Sequence, residues 1–235
     1  MASPMERIPE PELMLDREQA RAYAAADFAE PHGRFVSLLR ERLPGLPDAG
    51  VALDLGCGPG DPTLRVASAL PGWRVHGVDG SPAMLALARE AAASAGLATR
   101  VSFIEARLPE SPLPRAGYDL VFSNSLLHHL PDPRVLWECA RRFAARGAPV
   151  FVMDLLRPVS VEAARALVGR HAAGEPELLR RDFFQSLCAA YRPDEVRAQL
   201  ARAGLGALAL AVVSDRHWIA WGALPGLSAR AHPRR

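Results

Sequence analysis

The chain has 235 residues, of which 49% are hydrophobic, and a formal net charge of +2. This length suits one large domain with a sizeable core, and the small charge argues against a nucleic-acid partner. No apolar run approaches the ~20 residues of a membrane span, and the first residues lack the pattern of a signal peptide. Every one of the 28 basic residues is arginine, which excludes a lysine base and a phosphate-loop lysine.

The three cysteines, Cys57, Cys139 and Cys188, are scattered along the chain. Their odd number and irregular spacing match neither a disulfide framework nor a zinc knuckle. The histidines likewise show no ligand spacing beside paired acids. The sequence therefore predicts a cytoplasmic enzyme that needs no metal ion.

The N-terminal part has helical composition. A helix is predicted over Asp16–Ala29, Pro31 is expected to interrupt it, and a second helical piece covers Phe35–Leu43. The whole segment precedes the first predicted strand. It is therefore free to lie over the edge of the sheet.

A glycine-rich loop between two apolar runs is the most informative feature. Val51–Leu55 is an apolar run that ends in Gly56, Gly58 and Gly60, and the next apolar run ends in Asp79. Buried parallel strands have this composition. Glycines at a strand's carboxyl end let backbone N–H groups approach a ligand, and an acid on the neighbouring strand can accept hydrogen bonds from a ribose.

The glycine spacing distinguishes two cofactors. Dinucleotide-binding folds use G-x-G-x-x-G, with the third glycine opening the helix that holds a pyrophosphate. Here Gly60 comes one residue early, and Asp61 and Pro62 follow as a predicted helix cap and first helical residue. An acid at this position would repel a pyrophosphate but suits a ligand with an ammonium group. S-adenosylmethionine has an ammonium, a sulfonium and a ribose, and it has no phosphate.

Strands and helices alternate through the middle of the chain, which indicates an α/β layer structure. The predicted strands are Val51–Leu55, Arg74–Asp79, Val101–Glu105, Tyr118–Ser123 and Ala148–Leu155, and the predicted helices are Pro62–Leu70, Pro82–Ala95 and Asp132–Ala145.

The alternation pauses after the fifth strand. Val161–Ala173 and Glu177–Ala190 read as two successive helices, and Pro193–Ala203 as a third. Leu208–Val213 and Trp218–Gly222 form a predicted hairpin, so the last strand is antiparallel. A nicotinamide-binding domain usually ends on a parallel strand, and the hairpin therefore argues against that class.

Four motifs in this order resemble the class I S-adenosylmethionine-dependent methyltransferases, especially the small-molecule branch that includes quinone-biosynthesis enzymes. They are Leu53–Gly60, Gly77–Leu85, Tyr118–Asp132 and Val150–Leu155. The resemblance covers about residues 50–157. It implies a Rossmann-like, doubly wound, mostly parallel seven-stranded sheet with an antiparallel C-terminal strand. It also implies S-adenosylmethionine as cofactor and methyl transfer to a small-molecule substrate by in-line displacement.

The resemblance also implies an organisation for this single domain. The predicted parts are an N-terminal helical lid (1–48), a cofactor-binding core (49–158), a helical insertion (159–192), a terminal helix with the hairpin (193–224) and a disordered basic tail (225–235). Tyr23, Phe28 and His32 would be the ring-bearing residues of the lid, and Phe183 and Phe184 of the insertion would help to form an apolar wall.

The cofactor residues follow from the matched motifs. In the third strand the family often has Gly-Asp-Ala, whereas this chain has Glu105-Ala-Arg-Leu108. Either the Glu105 side chain or the backbone of Ala106 and Arg107 would therefore contact the adenine. The predicted cofactor-binding set is Tyr23, Asp54, Gly56, Cys57, Gly58, Gly60, Asp79, Gly80, Ser81, Met84, Glu105, Ala106, Arg107, Asn124 and Ser125.

Candidate catalytic residues follow the fourth and fifth strands. One member of the pair His128 and His129 is expected to face the site. The alternative is that a histidine here only anchors the following helix through a backbone hydrogen bond. Asp154, together with Arg157, is a candidate to orient a polar acceptor. The alternative is that these two residues pair with each other or with the inserted helices.

Other functions remain open at this stage. A nucleic-acid or protein methyltransferase is disfavoured, since the core has no basic patch. Ser123-Asn-Ser-Leu126 also stands where amino-methylating enzymes place Asn/Asp-Pro-Pro-Tyr/Phe. A non-catalytic S-adenosylmethionine-binding protein is a further alternative. The motifs indicate no particular oligomeric state.

Overall fold

The computed structural model describes residues 5–10, 17–26 and 28–224. The helices are α1 (Arg17–Ala25), α2 (Ala29–Arg42), α3 (Asp61–Ala69), α4 (Pro82–Ser94), α5 (Arg134–Phe143), α6 (Val161–His171), α7 (Glu177–Ala189) and α8 (Pro193–Arg202). The strands are β1 (Gly50–Leu55), β2 (Trp73–Asp79), β3 (Val101–Glu105), β4 (Leu120–Asn124), β5 (Pro149–Leu155), β6 (Ala209–Val212) and β7 (His217–Ala223).

The strands form one seven-stranded sheet in the order β3-β2-β1-β4-β5-β7-β6. The first five strands are parallel, and β7 runs antiparallel to both β5 and β6. The predicted doubly wound sheet with a C-terminal hairpin is thereby confirmed. The strand order reverses between β1 and β4, and ligands of such sheets bind at the carboxyl ends of the strands at this point.

Both faces of the sheet are buried. Along β4, Val121 packs into the cluster on one face, whereas Leu120 and Phe122 pack into the cluster on the other. Successive side chains of a strand point to opposite faces, so a continuously apolar strand can supply two cores. On the second face, Phe35 of α2 packs its ring against Phe122 and Phe151, with ring centroids 5.9 and 5.2 Å apart.

Three local predictions were wrong. α2 begins at Ala29, and Pro31 lies in its first turn, where the missing N–H costs no helical hydrogen bond. Gly60, not Asp61, is the N-cap of α3, since its φ of 90° gives the left-handed conformation from which the helix starts. β4 begins at Leu120 rather than Tyr118, which makes only an isolated bridge to Ala144.

The N-terminal stretch 5–10 lies across the insertion. Ile8 donates its backbone N–H to Cys188 O at 3.0 Å. The Arg7 guanidinium donates to Ala189 O and to His128 O and lies 4.2 Å from the Tyr191 ring centroid. These contacts bring the stretch to the end of α7 and to the segment after β4.

None of the described helices is long and apolar enough to cross a membrane. The predicted disordered tail lies outside the described residues.

Candidate active site

A cavity of about 770 Å³ lies at the carboxyl ends of β1, β2 and β4, where the strand order reverses. This volume falls in the range of about 300–1,000 Å³ typical of small-molecule sites. The Gly56–Pro59 loop and the residues that follow β2 and β4 form its floor, and residues from α1, α7 and the stretch 5–10 cover it. Predicted cofactor-binding residues and the predicted catalytic histidines therefore border one cavity.

The glycine loop adopts a backbone that favours glycine at three positions. Gly56, Gly58 and Gly60 all have positive φ, of 72°, 51° and 90°. Gly56 and Gly58 line the cavity. Gly60 does not, because it packs beneath the loop, where an added Cβ would lie 2.9 Å from the Phe103 ring. Gly60 therefore has a packing role at the start of α3, and its predicted contact with the cofactor stays a prediction.

Asp79 braces this loop. Its Oδ2 accepts a hydrogen bond from Gly58 N at 2.9 Å, and its Oδ1 accepts one from Ser81 N at 2.8 Å. Burial raises the pKa of the Asp79 carboxyl, and these backbone donors oppose that rise. Gly80, Ser81 and Met84 line the cavity beside it, and Ser81 also caps α4 by accepting from Met84 N.

Asp54 lies at the end of β1, beneath the loop. Its Oδ2 accepts a hydrogen bond from Thr63 Oγ1 at 2.6 Å. Its Oδ1 is buried at the cavity and accepts no hydrogen bond from the described part of the chain. Burial raises the pKa of Asp54 to about 7. A buried carboxyl oxygen in this state is ready to accept a donor from a ligand.

The two readings of the third strand are now distinguished. Glu105 is exposed and does not line the cavity, whereas Ala106 and Arg107 do. Ala106 N is hydrogen-bonded to Asp79 O at 3.0 Å, which holds the chain against the end of β2. This placement favours the backbone of Ala106 and Arg107 over the Glu105 side chain as the adenine contact.

Asn124 and Ser125 border the cavity at the end of β4. The Asn124 Oδ1 atom is buried and accepts no hydrogen bond within the described residues. Ser125 has a φ of 56°, unusual for a residue other than glycine, and its N–H bonds Met153 O at 2.9 Å. Such strain is concentrated at functional sites.

Both histidines border the cavity, contrary to the expectation that only one would do so. Leu127–His129 is a 3₁₀ turn rather than the start of an α-helix, and the two rings lie 4.2 Å apart between centroids. His128 Nδ1 lies 2.5 Å from Asp154 Oδ1. Burial lowers the His128 pKa, but the charge of Asp154, its hydrogen bond to the ring and the charge of Glu10 together outweigh burial, and the net pKa is raised.

Asp154 does not border the cavity. Its Oδ2 accepts a hydrogen bond from Leu127 N at 2.7 Å, and its Oδ1 accepts one from Leu155 N at 2.6 Å as well as contacting His128. Asp154 therefore contacts the His128 ring from the side away from the cavity. Arg157 is not its partner, because the Arg157 guanidinium lies 2.6 Å from Glu195.

Glu10 is the site residue that sequence reasoning missed. Its Oε1 lies 3.4 Å from His128 Nε2 and 3.3 Å from His129 Nδ1, and its Oε2 accepts a hydrogen bond from Ser186 Oγ at 3.2 Å. Burial raises the Glu10 pKa, with His128 opposing it. Glu10 stands in a stretch without any motif, so the sequence carries no signal for it. The fold thus brings an acid to both histidines, which the spacing of residues in the sequence did not indicate.

Aromatic rings of the N-terminal segment cover the loop side of the cavity. Tyr23 and Phe28 have ring centroids 4.9 Å apart, and His32 lies 5.2 Å beyond Phe28. Burial raises the pKa of Tyr23 to about 12. Asp61 is held by His32 Nδ1 at 2.5 Å and by Arg65 Nε at 2.7 Å. Asp61 is thus paired within the protein, and its suggested role toward a ligand ammonium is not supported.

The insertion supplies the remaining wall. Leu179 and Phe183 of α7 line the cavity together with Leu155. Phe183 and Phe184 both pack against the apolar cluster between α6 and α7, but Phe184 does not line the cavity. Its predicted place in the cavity wall is therefore wrong. Helical geometry explains the difference, because adjacent residues on a helix point in directions about 100° apart.

Known proteins resemble this chain. Residues 52–147 match the family model described as a methyltransferase domain. A trans-aconitate 2-methyltransferase of Variovorax paradoxus (strain S110) is 37% identical over 137 residues, which are 58% of this chain and 49% of that protein. A 27-O-demethylrifamycin SV methyltransferase of Amycolatopsis mediterranei (strain S699) is 31% identical over 156 residues, covering 65% of this chain and 53% of that protein.

Solved structures share the fold. A SAM-dependent methyltransferase from Aquifex aeolicus superposes with a TM-score of 0.65 at 19% identity, covering 89% of this chain and 99% of that one. The chain spans about half the length of the curated relatives it matches. Residues 52–147 therefore match a methyltransferase domain, and the whole sheet shares the fold of a SAM-dependent methyltransferase.

Proposed function

We propose that this protein transfers a methyl group from S-adenosylmethionine to a small molecule whose nucleophilic atom carries a proton. The observation that carries the proposal is the single cavity in which the glycine loop and Asp79 lie on one side and Glu10, His128 and His129 on the other. When bound, S-adenosylmethionine supplies a methyl group already activated by the sulfonium charge. The protein then has to align the acceptor and exclude water.

The residues at the glycine loop fit this cofactor. Two buried acceptor atoms, Asp54 Oδ1 and Asn124 Oδ1, accept no hydrogen bond within the described residues. A ligand that brings an ammonium group would satisfy such atoms. At Gly58 an added Cβ would meet nothing within 4 Å, so the loop leaves open space above its backbone. We assign the ribose to Asp79 and the adenine to Gly80, Ser81, Met84 and the Ala106–Arg107 backbone.

The acceptor is assigned to the far end of the cavity. Leu155, Leu179 and Phe183 supply apolar walls, and Glu10, His128 and His129 supply proton acceptors. These groups can orient a polar atom and take its proton as the new bond to carbon forms. Asp154 keeps Nδ1 of His128 occupied, which turns Nε2 toward Glu10 and the cavity.

The N-terminal segment and the insertion are proposed to form a cap that opens for exchange. Gln19 of α1 donates a side-chain hydrogen bond to Asp182 of α7 at 2.9 Å, which joins the two parts above the cavity. Hydrogen exchange with and without S-adenosylhomocysteine tests this idea. Ligand should increase protection across α1 beyond the change in the glycine loop, and equal exchange in both states would refute a cap.

Turnover provides the direct test. The purified chain is incubated with S-adenosylmethionine and a panel of small acceptors, and S-adenosylhomocysteine is measured. The panel includes trans-aconitate and a demethylrifamycin, which the names of the relatives suggest as first choices. Binding of S-adenosylhomocysteine in the micromolar range with no binding of NAD supports the cofactor assignment. Tight binding without turnover of any acceptor would instead favour a non-catalytic binding protein. The cytoplasmic location stays a prediction from composition.

A further inference from the structure

The end of the cavity assigned to the acceptor contains three side chains of the residue types that bind metal ions. Glu10, His128 and His129 each offer one ligand atom, and these atoms lie within 4.8 Å of one another. We propose that these three residues bind one divalent transition-metal ion of the zinc type. This inference goes beyond methyl transfer and does not depend on it, because metal binding is measured without any acceptor.

The distances fit a common ligand geometry. Zinc lies about 2.0–2.2 Å from histidine nitrogens and carboxylate oxygens. Two ligands at the tetrahedral angle are then about 3.3–3.4 Å apart. Glu10 Oε1 lies 3.3 Å from His129 Nδ1 and 3.4 Å from His128 Nε2. Both distances from Glu10 Oε1 therefore match a tetrahedral site, and all three ligand atoms lie within 4.8 Å of one another.

A second observation concerns the Glu10 oxygen itself. The Glu10 side chain is only 9% exposed, and its Oε1 accepts no hydrogen bond from the described residues. Buried carboxylate oxygens normally accept hydrogen bonds or bind a cation. Oε2 is held by Ser186 Oγ at 3.2 Å, so Oε1 is directed at the two rings.

Asp154 supplies the outer support that metal-bound histidines usually have. His128 Nδ1 is 2.5 Å from Asp154 Oδ1, which leaves Nε2 as its ligand atom. Backbone N–H groups of Leu127 and Leu155 hold that carboxylate in turn. A carboxylate–histidine–metal arrangement fixes the ring orientation and increases ligand basicity.

Three protein ligands leave at least one coordination position open. His129 is 29% exposed, and all three residues line the cavity, so the open position faces the space assigned to the acceptor. A small ligand with an oxygen or nitrogen donor can complete the coordination there. The ion would occupy the same lone pairs that take a proton from the methyl acceptor. The site can therefore bind the metal ion or take that proton, but it cannot do both at once.

The experiment uses the full chain after removal of any affinity tag and of bound metal by chelation. Zn²⁺ binding is measured by titration calorimetry, and Co²⁺ binding by visible absorption. The expected results are one site per chain with a Kd in the micromolar range or lower, and intense Co²⁺ bands typical of tetrahedral coordination. Glu10→Gln and His129→Gln should each weaken binding at least tenfold. Asp154→Asn should weaken it 10–100-fold through loss of the outer support.

The control is His171→Gln. His171 also borders the cavity, and its Nε2 lies 3.0 Å from a carboxylate oxygen of Asp215. The Arg216 guanidinium lies 2.8 Å from the other ring nitrogen, so a cation already contacts this histidine. Its loss should leave the zinc affinity unchanged. Circular dichroism and thermal unfolding of each variant show whether it is folded, and Glu10→Gln is informative even if a histidine variant does not fold. Zinc affinity that is unchanged in folded Glu10→Gln, or Co²⁺ spectra of the hydrated ion only, would overturn the proposal.

Discussion

Replacing Asp79 by alanine should affect the protein in two separable ways. In the ligand-free chain, Asp79 accepts two backbone hydrogen bonds, from Gly58 N at 2.9 Å and from Ser81 N at 2.8 Å. Hydrogen bonds to a charged group are each worth about 1.5–3 kcal/mol. Losing both should lower the free energy of unfolding by about 3–6 kcal/mol, measured by urea denaturation.

The second effect concerns ligand affinity. If Asp79 also binds the ribose, the variant loses at least one further charge-assisted hydrogen bond, of about 1.5–3 kcal/mol. A loss of 1.4 kcal/mol already corresponds to about a tenfold change in Kd. The affinity for S-adenosylhomocysteine, measured by titration calorimetry at a temperature where the variant is folded, should therefore fall at least tenfold.

Glu105→Ala is the matched control. Glu105 is the register partner of Asp79 on the neighbouring strand and is likewise an acid at a strand end, but it is exposed and does not line the cavity. Its removal should leave the Kd unchanged. A folded Asp79→Ala chain with lowered stability and wild-type affinity would show that Asp79 only braces the glycine loop, and the ribose assignment would then be wrong.

Three further predictions concern stability. Asp154→Ala should lower the free energy of unfolding by about 3–5 kcal/mol, because it leaves the buried His128 without its ionised partner, and urea denaturation at neutral pH measures this loss. The Asp54 pKa rises from 3.8 to about 7 on folding, so the ligand-free protein should lose stability as the pH increases from about 4 to 7. Asp54→Asn should remove that dependence and be the more stable form at pH 8; equal pH profiles would contradict it. Gly56→Ala should lower the melting temperature more than Gly58→Ala, since both have positive φ but only at Gly56 would a Cβ approach a side chain, Leu126, to within 2.6 Å. Equal shifts would exclude the clash as the cause.

Local chemistry explains what could be predicted from the sequence. The strand runs, the glycine loop and the acid at the end of β2 are encoded by neighbouring residues, and all lie where the pattern indicated. The terminal hairpin was equally readable, because two apolar runs separated by a short polar turn pair with each other. Errors of one or two residues at element ends, such as the start of β4, arose from side-chain contacts that no local pattern specifies.

The sequence by itself determined the sheet, the edge of the sheet at which the cavity lies and the resemblance of residues 52–147 to a methyltransferase domain. Only the tertiary structure decided which side chains meet at the end of that cavity assigned to the acceptor. Glu10 reaches the two histidines because Arg7 and Ile8 bind the backbone of α7 and of the segment after β4. The fold also places Glu105 and Gly60 away from the cavity surface, one exposed at the end of β3 and the other packed against Phe103. Contacts between segments far apart in the chain depend on the complete fold, and no periodicity or spacing within either segment encodes them.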